Sequence, residues 1–150
     1  MKHITEIFDW DTLFRCAKLM RDNPSHPLLN SPAFAKIRDE VNSRDDFGNT
    51  PLLPASSQLP LEVVNALLRL GANVNASNKD GITALMFASH KKRVEIVELL
   101  LAYNADVDAM SREGGNAIFY AGLSVPFTKI FAAVKIKKML LATPRRNSTY

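Results

Sequence analysis

The sequence is short of cysteine, and the shortage is informative: Cys16 is the one cysteine in 150 residues. It has no internal disulfide partner and cannot build a multi-thiolate metal site, so the expected setting is a reducing compartment, the cytoplasm or the nucleus. Long apolar runs are also missing. A membrane span needs roughly 18 to 20 uninterrupted apolar residues, and the most apolar late stretch, 130–142, is broken by Lys135, Lys137 and Lys138. The opening residues give a charged, helix-like pattern and not the apolar core of a secretory signal, so the mature chain is expected to begin near Met1. Histidine is sparse: His3, His26 and His90 lie far apart and none has metal-ligand spacing. No glycine-rich phosphate loop and no nucleophile elbow occurs. These gaps lead to the expectation of no catalytic residue, no cofactor and no metal. With 47% hydrophobic residues, one core and a single domain are expected.

What the sequence does have is a repeat. The stretch Asp45-Asp46-Phe47-Gly48-Asn49-Thr50-Pro51-Leu52-Leu53-Pro54-Ala55 aligns without gaps on Asn78-Lys79-Asp80-Gly81-Ile82-Thr83-Ala84-Leu85-Met86-Phe87-Ala88, 33 residues on. The same offset carries Val64, Leu67, Leu68, Ala72, Val74 and Asn75 onto Val97, Leu100, Leu101, Ala105, Val107 and Asp108. A weaker copy begins at Ser111, with Gly114, Ala117, Ile118 and Ala121, and Val41-Asn42 marks a degenerate copy before the first good one. A fixed period of this length is the signature of a solenoid built from one repeated supersecondary unit.

The residues at fixed offsets have physical reasons to be there. Gly48 and Gly81 sit where a tight turn needs positive φ, a backbone state that costs a residue with a Cβ about 1 to 2 kcal/mol. Thr50 and Thr83 stand as N-caps, with Pro51 at the first helical position. Short inner helices are expected at 51–57 and 84–90, and outer helices at 61–70 and 93–103. Pro54 should shorten or kink the first inner helix. Gly71 and Asn104 should close the outer helices in the left-handed conformation.

Glycine, threonine-proline-leucine, alanine, paired leucines, glycine-alanine and valine-asparagine, in that order and with that period, closely resemble the ankyrin repeat over 45–110. The histidine usual after threonine-proline-leucine is replaced by Leu53 and Met86, a departure from the pattern. The resemblance implies an all-α solenoid of about four helix-turn-helix units with β-hairpin-like turns between them. It also implies a non-catalytic protein-binding module, an adaptor, inhibitor or targeting unit, that meets another protein on its hairpin tips and inner helices. Carried over by position, the tips are Asp46, Phe47 and Asn49, then Lys79, Asp80 and Ile82, then Arg112 and Glu113; the inner helices offer Ser57, Gln58, Ser89, His90, Lys91 and Tyr120. Phe47 and Ile82 are either anchors for a partner or apolar packing between hairpins. Tyr120 suits the core or the binding face equally.

The ends should be atypical, because a terminal repeat has a neighbour on one side alone. A helix over 6–22, a proline-containing loop, and a second helix from Pro32 to about residue 40 make an N-terminal capping unit, 1–44. Repeats at 45–77 and 78–110 follow, then a C-terminal capping unit, 111–142, with helices at 117–123 and 127–142 and a flexible basic tail at 143–150. A monomer is expected. Charge is unevenly placed: Lys129, Lys135, Lys137, Lys138, Arg145 and Arg146 follow Glu113 with no acidic residue among them, so of the net +4 the first 113 residues carry about −2. That run reads as a solvated outer face; electrostatic binding of nucleic acid or an anionic membrane is the alternative function, and an acidic protein patch or an import signal a third reading.

Overall fold

A computed structural model describes residues 2–122 and 130–144. The chain opens with a short helix α1 (Ile4–Ile7) and a longer α2 (Trp10–Asp22), then a 3-10 turn (Pro27–Asn30) and α3 (Pro32–Glu40). The regular part follows as α4 (Leu52–Gln58) with α5 (Leu61–Arg69), α6 (Ala84–His90) with α7 (Val94–Ala102), and α8 (Ala117–Gly122) with α9 (Ile130–Ala142). The expected third inner helix, 117–123, is described as far as Gly122, and residue 123 lies outside the described residues. The expected closing helix begins at Ile130, and its first residues, 127–129, lie outside the described residues, as does most of the expected tail. Thr143 is tied to α9: its N–H and its hydroxyl both donate to Met139 O.

Inner helices α4, α6 and α8 stack in one row, and outer helices α5, α7 and α9 stack behind them. The row closes over a continuous core that includes Leu52, Leu67, Leu85, Met86, Leu100, Ile136 and Leu140, all buried. Each such side chain removed from water contributes about 1.5 to 3 kcal/mol. No unit could bury its apolar face alone, which explains the fixed register of the repeat.

The same polar position rebuilds each hairpin tip. Asp45, Asn78 and Ser111, spaced 33 apart, accept side-chain hydrogen bonds from the N–H groups of Asn49, Ile82 and Gly115. Gly48, Gly81 and Gly114 turn the chain at φ 80°, 75° and 79°. Neighbouring tips are laced by backbone bonds, Lys79 N–H to Phe47 O and Arg112 N–H to Asp80 O. Among the described residues, a bridge between Ser77 and Thr83 is what remains of a β-hairpin. Asparagines staple the other edge: Asn42 takes Gly71 O and Asn73 N–H, and Asn75 takes Asn104 O and Asp106 N–H.

Gly71 and Asn104 close α5 and α7 in the left-handed region, φ 98° and 62°, with the paired bonds of a Schellman motif. Lys92, at φ 60°, ends α6 in the same way, a device the sequence reading missed.

Three expectations need correction. Thr83 caps α6, its hydroxyl accepting from Met86 N–H, but the Thr50 hydroxyl is buried without a partner and does not cap α4. Pro54 does not shorten α4, which has 7 residues like α6; it falls in the first turn, where no intrahelical N–H bond is lost. The expected single helix over 6–22 is split, because Phe8 is extended and buried while Asp9 caps α2 through Thr12 N–H.

The N-terminal unit departs from inner-on-inner stacking. Helix α2 lies chiefly against α5, and the first residues run beside α4 and the first tip. Lys2 N–H donates to Asp46 Oδ2, Asp46 N–H to Lys2 O, and Ile4 N–H to Asp45 Oδ2. These bonds continue the ladder of tips by one rung.

Candidate functional site

The 33-residue register that stacks the inner helices also lines up what they expose. Pro54, Phe87 and Tyr120 occupy the same repeat position on α4, α6 and α8 and form a row on the inner side. Phe87 lies at its middle and lines a recess on each side. One, about 110 Å³, is enclosed by Ile82, Met86, Phe87, His90 and Tyr120. The other, about 210 Å³, is bounded by residues 3–5, Asp45, Asn49, Pro54, Ser57, Gln58 and Phe87.

In the first recess, the His90 and Tyr120 rings meet edge to face at 6.5 Å, and Phe119 supports Tyr120 from the other side at 5.7 Å. Tyr120 OH donates to Ser111 Oγ, so its polar end is spent on the third tip and its ring forms wall. Lys92 Nζ donates to His90 O and Tyr120 O and joins α6 to α8. Burial, followed by the charges of Lys92 and Lys91, pushes the His90 pKa below its ordinary value, which keeps the imidazole neutral at neutral pH. The imidazole Nδ1 is buried without a hydrogen-bond partner.

The expected contact residues divide into groups. Ile82, His90 and Tyr120 meet in the first recess, and Asn49, Ser57 and Gln58 in the second. Lys91, Arg112, Glu113 and Asp80 are exposed. Asn49 is partly spent within the fold, donating to Asp45 Oδ2 and accepting from Asn78 Nδ2. Lys79 Nζ is held by Asp46 O. Two residues are displaced from the expected face. Ser89 is fully buried, its hydroxyl without a partner, and offers another protein no surface. Phe47 is not a bare anchor: His3 stacks on it at 4.7 Å with planes 19° apart, and Asp46 beside it holds Lys2. Phe87, Pro54 and the segment 3–5 also line the recesses and were not among the expected residues; stepping back 33 residues from Tyr120 finds Phe87 and then Pro54.

Of the basic C-terminal residues, Lys135 is paired with Glu98 at 3.1 Å on the outer side, away from this row. Lys129, Arg145 and Arg146 lie outside the described residues. Cys16 is buried, and burial pushes its thiol pKa up, which suits an inert core residue. Among the described residues no cluster of three acidic, histidine or cysteine side chains is placed to hold a metal ion, and no helix is long and apolar enough to cross a membrane.

A family model for ankyrin repeats in three copies matches residues 26–111, more than half of the chain. The chain belongs to the ankyrin-repeat family. Ankyrin repeats are generally protein–protein interaction modules and generally not catalysts. The match begins inside the N-terminal unit, which makes the helices after residue 26 part of the repeat series, while α1 and α2 precede it. Comparison with curated proteins finds no match to this chain.

Proposed function

We propose that this ankyrin-repeat chain works as an adaptor, inhibitor or targeting unit that holds a partner protein on its inner face. The face is centred on Phe87 and runs from Gln58 to Tyr120. The observation that carries this reading is the row Pro54–Phe87–Tyr120, half-buried apolar groups kept in register on the inner side of the stack, with a recess on either side of Phe87. An apolar row rimmed by the polar groups of Gln58, Asn49 and Lys91 has the make-up of a protein interface, an apolar centre inside a wet rim. The stack is already ordered by its tip ladder and asparagine staples, so binding orders few residues and loses little affinity to conformational entropy. A buried free thiol suits a reducing compartment, the cytoplasm or nucleus.

Affinity capture compared across variants tests the reading. Wild-type chain should retain a partner that Phe87→Ala and Tyr120→Ala release, while Val134→Ser, an exposed position on the outer helix α9, retains it. Equal recovery by all four chains counts against the inner face. Recovery of nucleic acid or anionic vesicles, lost in Lys137→Glu and Lys138→Glu and steeply weakened by salt, would favour the basic helix instead.

A further inference from the structure

The recess on the α8 side of Phe87 is small, about 110 Å³, lined almost wholly by apolar and aromatic side chains, and bordered by the cation of Lys91 where the recess on the other side has the neutral Gln58. We infer that it receives one aliphatic side chain of a partner peptide, and that Lys91 meets a carboxylate next to that side chain on the same peptide. This rests on the inner-face reading above and specifies the chemistry of what the face accepts.

Size limits the anchor. At about 110 Å³ the recess is smaller than a cavity of roughly 150 Å³, which benzene fills. A branched or thioether side chain of the Val, Leu, Ile or Met class matches that volume and fills the recess without protruding from its open side. The walls fix its polarity. Ile82, Met86 and Phe87 bring apolar atoms, and Tyr120 presents its ring because its hydroxyl is engaged by Ser111. A polar anchor would leave its hydrogen bonds unmade there and lose affinity for that reason.

Charge fixes the neighbour. Lys91 follows His90 directly at the end of α6, is exposed, and has no carboxylate partner among the described residues. Lys92 places a second cation beneath the same rim, on the carbonyls of His90 and Tyr120. The equivalent residue one repeat earlier is the neutral Gln58, so the positive field belongs to this end of the face and not to the whole of it. Burial first, and then the charges of Lys92 and Lys91, lower the pKa of His90, so the same two cations also act on the imidazole within the recess. A carboxylate on the peptide would be steered to that rim and held there.

Selection of a displayed random peptide library on wild-type, Lys91→Glu, Ile82→Asn and Tyr120→Ala chains tests the inference, with folding of each checked by circular dichroism. Ile82→Asn installs the residue that the preceding repeat carries at the same position, Asn49, so this variant should fold even where Tyr120→Ala does not. Wild type should enrich an aliphatic residue adjacent to Asp or Glu, and Lys91→Glu should weaken such peptides about tenfold and select basic neighbours beside the same aliphatic anchor. Ile82→Asn should lose the enrichment. In the wild-type complex the His90 titration, followed by NMR, should move up with the acidic peptide and stay in place with its amide analogue. Aromatic anchors, or acidic enrichment that survives Lys91→Glu, overturn this inference and leave the inner-face reading standing if Ile82→Asn still abolishes binding. Peptides indifferent to Ile82→Asn and Tyr120→Ala, or no enrichment on any chain, overturn both.

Discussion

Asp45 is the most heavily used carboxylate in the chain: Oδ1 accepts the N–H groups of Phe47 and Asn49, and Oδ2 accepts Ile4 N–H and Asn49 Nδ2. Burial opposes its ionisation, but the hydrogen bonds from Asn49, Ile4 and Phe47 outweigh it and hold the carboxyl below its ordinary pKa of 3.8. A depressed folded-state value contributes stability that is present above the unfolded value and lost as pH falls through the folded one. Acid unfolding followed by circular dichroism should therefore show a loss below about pH 4 that Asp45→Asn reduces. The same substitution puts an amide N–H where Oδ2 received Ile4 N–H, so the N-terminal segment should detach and its amides should exchange faster. Unchanged exchange at Ile4 would contradict this account of the tether. For His90 the direction is set by burial and then by Lys92 and Lys91; its NMR titration midpoint should lie below 6.5 and rise in Lys91→Ala. A midpoint that stays in place in Lys91→Ala would mean that Lys91 does not act on the imidazole.

At the scale of elements, a threonine precedes both α4 and α6, with different results. Thr83 caps α6, while the Thr50 hydroxyl is buried and unpaired. Thr83→Val should cost about 1 kcal/mol in chemical denaturation, and Thr50→Val should be neutral or stabilising, because it removes a desolvated hydroxyl that makes no bond. Equal losses at both sites would refute the distinction. Gly81 sits in a tight turn: at φ 75° an added Cβ would lie 3.1 Å from Met110 O and from Ser111 Cα. Gly81→Ala should lose about 2 kcal/mol or more, from backbone strain and from pushing the third tip away.

These elements also mark how far the sequence could be read. The 33-residue offset gave the stack, the turns at Gly48 and Gly81 and the closures at Gly71 and Asn104, because each is dictated by local backbone chemistry. Pro54 misled because its effect depends on where in the helix it falls, and the difference between first turn and interior is set by a helix start one residue later than expected. The split between α1 and α2 depends on Phe8 reaching the core, a tertiary demand that no local pattern announces. Repeat position was enough to bring Ile82, His90 and Tyr120 together at one recess. Ser89 was misplaced because the exposed arc of a short helix is narrow, and a single residue step moves a side chain from groove to core.

On the scale of the whole molecule, the N-terminal residues complete the tip ladder and partly cover the second recess. Ile4 is buried, so removing residues 2–5 should destabilise the chain by about 1.5 to 3 kcal/mol, measured by denaturant unfolding, and should bare Phe47. A stability loss near zero would show that the segment does not belong to the packed structure. The inner and outer faces then differ in layout: the inner one has an apolar row in repeat register with a recess on either side of Phe87, whereas the outer helices carry the Lys135–Glu98 ion pair among scattered exposed apolar side chains such as Leu61, Val134 and Leu141. That difference is what the functional reading depends on. Photo-crosslinking residues placed singly at Gln58, Phe87 and His90 on the inner face, and at Glu62 and Glu95 on the outer helices, test it most directly. The inner positions should form adducts with a common partner and the outer positions should not; adducts confined to Glu62 and Glu95 would contradict the account.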